Sequence, residues 1–127
     1  MAAGSSSRLG RPKQLVEFQN KPLLQHVVDT IQPFQLDPSV LVLGANADEI
    51  RKSINTKNVT LLYNENWSEG IASSIRLGVS ESMKLNESLE GILFLLSDQP
   101  FVNKELIEEL IEKHLNDDQQ ITACSYN

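Results

Sequence analysis

Cys124 is the only cysteine in the 127 residues, so the chain can close no internal disulfide and build no thiolate zinc site. That usage suits a reducing, cytoplasmic setting. Also missing is any apolar run near the roughly 18–20 residues that a membrane helix requires. Basic residues are in deficit, 11 Lys and Arg against 17 Asp and Glu, for a formal net charge of −6. A broad basic face for nucleic acid is therefore not expected. What is present, 40% hydrophobic and 22% charged residues, is the composition of a folded chain and not of a disordered tail. The length suits one domain with its own core.

The charge is unevenly placed. Residues 1–21 hold Arg8, Arg11, Lys13 and Lys21 against Glu17 alone, a net +3, which leaves −9 for the rest. A positive island on an acidic chain suits a small polyanion, or it is simply a solvated arm.

Short apolar runs alternate with segments of helical period. Residues 40–43, 59–63, 92–96 and 121–124 read as strands, and their nearly continuous apolar character predicts burial on both faces, as in a parallel sheet. Between them, Pro22 suits a first helical position, ahead of Leu23, Leu24, Val27, Val28 and Ile31 on one face. Residues 47–54 form a shorter helix, and 68–83 a longer one with Ile71, Ile75 and Val79 four apart. Asn103 caps a helix in which Leu106, Ile107, Leu110, Ile111 and His114 share a side. The alternation predicts an α/β fold: a three-layer, Rossmann-like, mostly parallel sheet with helices on both faces. The stub Met1-Ala2-Ala3 is short for a central strand, and residues 121–124 lie at the other extreme. The expectation is one domain over 1–127, lacking the start of its first strand and a C-terminal part.

Three segments could carry chemistry. Ala2-Ala3-Gly4-Ser5-Ser6-Ser7-Arg8-Leu9-Gly10-Arg11-Pro12-Lys13 is rich in small residues whose backbone amides can converge on an anion, with Arg8 and Lys13 to neutralise it. It is neither a Walker A loop nor GxGxxG, and a flexible serine-rich arm is the other reading. In Leu95-Leu96-Ser97-Asp98-Gln99-Pro100 an acid leaves the carboxyl end of a strand, where open α/β sheets bind ligands. One carboxylate plus substrate phosphates can hold magnesium; equally, Asp98 can shape a turn. Asn64 to Ser74 offers a glycine for close backbone approach, and Asn and Ser groups for hydrogen bonds to a base or ribose. Alternatively, Ser68 caps the helix and Trp67 packs. His26 and His114 have no partners that suggest catalysis, and Cys124 reads as a small buried hydrophobe.

Taken together, these segments resemble the molybdenum cofactor cytidylyltransferases among the MobA-like NTP transferases. Residues 2–13 fit Leu-Ala-Ala-Gly-x-Ser-x-Arg-x-Gly-x-x-Lys, with Met1 in place of the Leu. Lys21-Pro22-Leu23-Leu24 fits a following Lys-Pro-Leu-Leu. Gly70 with Ser73-Ser74-Ile75 fits Gly-Met-x-x-Ser-(Ile/Leu), with Ile71 in place of Met. Leu96-Ser97-Asp98-Gln99-Pro100 fits a strand-end Asp-Gln-Pro. A later Gly-x-x-Gly-His-Pro stretch has no counterpart. The resemblance implies transfer of CMP from CTP to the phosphate of molybdopterin with release of pyrophosphate, using Mg2+. It implies that Ala3, Gly4, Ser5, Ser6 and Ser7 cradle the triphosphate, Arg8 and Lys13 balance the β- and γ-phosphates, Asp98 holds the metal, and Gly70 and Ser74 flank the nucleoside. A molybdoenzyme or chaperone partner is implied, and neither nucleic acid nor membrane. The competing readings are a nucleotide-binding module without turnover, and a related guanylyl- or sugar-phosphate nucleotidyltransferase.

Overall fold

The structure, a computed structural model, describes residues 1–4, 10–99, 101–118 and 120–124. Its centre is β3 (Val40–Leu43), paired in parallel with β4 (Thr60–Tyr63) from Val40 opposite Thr60 to Leu43 opposite Tyr63. On the far side of β3 run residues 1–3. Ala2 bridges Leu43 in parallel, the Ala2 amide donates to Val42 O at 2.9 Å, and the Ala45 amide donates to Ala3 O at 3.2 Å. Beyond them lies the segment 92–96, reached by the Met1 amine donating to Leu95 O at 2.8 Å.

Period-2 alternation on β3 explains the layers. Leu41 and Leu43 join one buried cluster with Leu24 and Val28 of α1 (Leu23–Ile31), Ile50 of α2 (Ala47–Ser53) and Ile54 just past it. Val42 points the other way, toward Gly78 of α3 (Ile71–Leu85). Helices therefore cover both faces, as the continuous apolar run predicts. The fourth helix, α4 (Lys104–Asn116), is capped by Asn103, whose side chain accepts from the Leu106 amide at 2.9 Å. It buries Ile107 on the predicted face, beside Leu95, Leu96 and Val27.

Several expectations are corrected. Residues 92–96 and 121–124 form no strand. Ile121 is 84% exposed with no strand beside it among the described residues, and Cys124 is exposed, not buried. Pro22 precedes α1 as its N-cap and lies in β2 (Lys21–Pro22), which pairs with β1 (Glu17–Phe18). The turn between them puts Gln19 and Asn20 both in the left-handed region, the geometry of a two-residue type I′ hairpin.

Asp29 ties this hairpin to α1. Lys21 Nζ and Gln25 Nε2 each donate to its carboxylate at 2.7 Å. Burial pushes the Asp29 carboxyl up, but the hydrogen bonds from Lys21 and Gln25, with the Lys21 and His26 charges, outweigh it and hold the pKa below the usual range. The pair is solvent-exposed, so Asp29→Asn should cost no more than about 1 kcal/mol. Because the folded-state pKa is depressed, the contribution is present at neutral pH and lost as pH falls through the folded pKa. Melting curves of parent and variant should differ at pH 7 and converge in acid; a gap that persists or widens there would exclude this role.

Candidate active site

The loops that follow residues 1–3, β3, β4 and residues 92–96 meet at one edge of the sheet, where parallel α/β sheets place their ligands. Between them lies a cleft of about 310 Å³. Ala3, Gly4, Lys13, Gly70, Ser74 and Asp98 all line it, although they come from four separate parts of the chain. Ser5, Ser6, Ser7 and Arg8 lie outside the described residues.

Each lining segment is held by identifiable contacts. Gly4 follows the stub beside β3. Its backbone does not need glycine, and a methyl there would meet nothing within 4 Å. Among the described residues nothing accounts for the missing side chain. Gln14, 5% exposed, lies beneath, its Nε2 donating to Ala2 O at 3.1 Å and Gly4 O at 3.4 Å. Those two carbonyls fix the amide's orientation and leave Oε1 buried without a partner among the described residues. Asp98 sits in the turn after 92–96, exposed at the cleft beside buried Ser97. The Met1 amine also lines the cleft; burial lowers its pKa to about 6, against the opposing pull of the Asp98 charge.

The 64–74 segment is built around Asn64, at the end of β4, whose amide donates to Leu43 O at 2.7 Å. Its buried side chain donates to Ser73 Oγ at 2.8 Å and Ser74 Oγ at 2.9 Å, and accepts from the Asn66 amide at 3.0 Å. The helix begins at Ile71 with Gly70 as its N-cap, so Ser68 falls in a preceding 3-10 turn and is not the cap. Gly70 has φ 104° and ψ −179°, a combination essentially confined to glycine. Its residue type is thus explained by backbone conformation before any ligand is considered. Trp67, 36% exposed, lines the cleft while its Cβ packs on Gly44 at the end of β3, so it is both a packing and a surface residue.

Sequence reasoning left Gln14 and Gly44 without a role, and offered the Asn groups of 64–74 to a base or ribose, whereas Asn64 is buried and spends its side chain on Ser73, Ser74 and the Asn66 amide. A glycine ending a buried strand, and a polar side chain at the matching end of the next strand, are the available signals for Gly44 and Asn64.

Parallel strands between two helical layers, with Gly4, Lys13, Gly70, Ser74 and Asp98 around one cleft, define an α/β domain of the nucleotidyltransferase type. The MobA-like NTP transferase domain matches residues 1–127, and the chain belongs to that family. It is 31% identical over 115 residues to the nicotine blue oxidoreductase of Paenarthrobacter nicotinovorans, covering 90% of this chain and 54% of that protein. To the bifunctional protein GlmU of Desulfitobacterium hafniense (strain Y51) it is 26% identical over 132 residues, covering 100% of this chain and 28% of GlmU. Among solved structures, Rv0371c from Mycobacterium tuberculosis H37Rv superposes with a TM-score of 0.75 at 28% identity, over 87% of this chain and 55% of that one. The chain thus spans about half the length of two of these relatives and under a third of the other. No helix among the described residues is long and apolar enough to cross a membrane.

Proposed function

We propose that the chain is the nucleotide-binding portion of a nucleotidyltransferase that moves CMP from CTP to the phosphate of molybdopterin and releases pyrophosphate. The observation that carries this reading is convergence. Residues singled out for phosphate, metal and nucleoside lie far apart in sequence, yet Gly4, Lys13, Gly70, Ser74 and Asp98 line a single cleft. Gly4 adds weight, because open space about its backbone among the described residues suits the close approach of a ligand. The choice of CTP and of molybdopterin rests on the resemblance of Ala2-Ala3-Gly4 and Ser73-Ser74 to the cytidylyl branch.

In this reading, an oxygen of the acceptor phosphate attacks the α-phosphorus and forms a new P–O–P bridge. The bond from that phosphorus to the bridging oxygen of pyrophosphate breaks, and its electron pair leaves with pyrophosphate. An acceptor that is already a phosphate anion has no proton to surrender, so no general base is needed. The work of the protein is positioning and charge stabilisation. Backbone amides around Gly4 hold the triphosphate, Lys13 balances its outer phosphates, and the family resemblance gives Arg8 the same role. The acidic donor set suits a divalent ion carried in by the phosphates: the cleft has one carboxylate, Asp98, and no cluster of three His, Cys, Asp or Glu that could hold an ion occurs among the described residues. Asp98 would hold Mg2+, which when bound neutralises charge on the phosphate oxygens.

The test is incubation of the protein with Mg2+, each nucleoside triphosphate in turn and molybdopterin, reading pyrophosphate. CTP is expected to give the highest turnover. Release with GTP alone would assign the guanylyl branch, and tight CTP binding without pyrophosphate would leave a binding module. Because one relative carries an oxidoreductase name, a parallel search for CTP-independent redox turnover is worthwhile; finding it alone would overturn the transfer reading. Within the site, Lys13→Ala should weaken CTP binding by about 10- to 150-fold, the value of a charged hydrogen bond of roughly 1.5–3 kcal/mol, and CMP binding far less. Equal losses by calorimetry would take Lys13 off the outer phosphates.

A further inference from the structure

The buried hydrogen bonds around Asn64 fix the direction in which Ser74 can bond. Asn64 Oδ1 accepts the Asn66 N–H, so the amide cannot be turned round without setting two donors against each other. Its Nδ2 must then face both serines, and both serine oxygens act as acceptors. Ser73 still has carbonyls for its own proton, Gly70 O at 2.8 Å and Asn66 O at 3.0 Å. Ser74 has none among the described residues, although it is only 3% exposed and lines the cleft. A buried hydroxyl proton without an acceptor is costly unless something arrives to take it. Trp67 and Ile71 line the same cleft, an apolar surface suited to a planar heterocycle.

We infer that Asn64 is a positioning residue: it holds the hydroxyl of Ser74, which the family resemblance already sets beside the nucleoside, as a donor into the cleft, where it meets a carbonyl oxygen of the pyrimidine. This rests on the nucleotide reading above and deepens it. Ser74→Ala keeps Ser73 as a partner for Asn64 and removes only the cleft-facing donor. Asn64→Asp replaces the donor with a carboxylate oxygen, which draws the Ser74 proton inward and away from the ligand.

Calorimetry with CTP, CMP and tripolyphosphate, beside a melting curve for each variant, tests it. Ser74→Ala should lose about three- to tenfold in affinity for both CTP and CMP, the worth of one neutral hydrogen bond, and nothing for tripolyphosphate. Asn64→Asp should lose at least as much for CMP, and adding Ser74→Ala to it should cost little more, because the donor is already withdrawn. If Asn64→Asp does not fold, Ser74→Ala decides alone. A lowered melting temperature with unchanged CTP and CMP affinity would make the network purely structural and overturn the inference. So would an equal loss for tripolyphosphate, which would move the hydroxyl to the phosphates. Failure of the parent protein to bind any nucleoside triphosphate would overturn the nucleotide reading and this inference together, whereas parent binding with Ser74→Ala unchanged overturns this inference alone.

Discussion

Asp98→Asn is expected to cut turnover of the nucleotidyl transfer by at least about a hundredfold, roughly 2.7 kcal/mol of transition-state stabilisation. Asn keeps the size of Asp and one of its oxygens, so the turn at residues 97–98 should survive and the melting temperature should barely move. What disappears is the negative charge. Asp98 is the one acidic side chain lining the cleft, so a divalent ion shared with the phosphates would lose its only anionic protein ligand there. The loss should fall mainly on turnover, because charge on the departing pyrophosphate develops in the transition state and is smaller in the bound nucleotide. CTP affinity should therefore fall much less than rate. If the variant unfolds, Asp98 is a turn former first. If it is folded and as fast as its parent across a magnesium titration, the metal-holding role lies elsewhere and the proposed mechanism goes with it.

The parts of this molecule legible in its sequence are those decided locally. Residues 40–43 announce a strand buried on both faces because every side chain is apolar, and that is what β3 is. Asn103 could be assigned as a cap because its side chain needs only the amide three residues on. Neighbours across the fold decide the rest. Residues 92–96 are as apolar as β3, yet they do not form a strand: apolar character alone does not supply the paired neighbour that a strand requires. The apolar run ending in Cys124 stays exposed for want of a paired strand among the described residues. The Gln19–Asn20 turn was unreadable because neither residue is the glycine that usually marks such a hairpin. Within the cleft, Lys13, Gly70, Ser74 and Asp98 could be singled out by residue type and motif. The Asn groups of 64–74 read as hydrogen-bonding groups for a base or ribose, but the partners of Asn64 were not legible, since it reaches across the gap from β4 to two serines of α3. Gly70 was assigned for closeness to a ligand, whereas its backbone conformation already demands glycine.

Gly44 carries the other large expected effect, and no motif marks it. A methyl at this position would lie 2.6 Å from Trp67 Cβ, 2.8 Å from Ala3 O and 2.9 Å from Ala3 Cβ. None of these atoms is the free end of a flexible side chain. Ala3 O accepts the Ala45 amide in the rung that holds residues 1–3 beside β3, and both Cβ atoms move only with their backbones. Gly44→Ala must therefore push residues 1–3 off β3 or lift the Trp67 turn. Overpacking of this kind costs about 1–3 kcal/mol, and a drop in melting temperature on the order of 5–10 °C is expected for a chain of this size. Either movement also separates Gly4 from Trp67 across the cleft, so CTP binding should weaken at temperatures where the variant is still folded. Gly4→Ala is the informative contrast. None of the described residues lies within 4 Å of its added methyl, so stability should hold while CTP affinity falls, because the methyl occupies space assigned to the triphosphate. Calorimetry and melting curves on the two variants separate the cases: Gly44 loses stability and binding, Gly4 binding alone. A Gly44→Ala protein that melts within about a degree of its parent and binds CTP equally well would show that the contact between β3, the first residues and Trp67 does not shape the cleft.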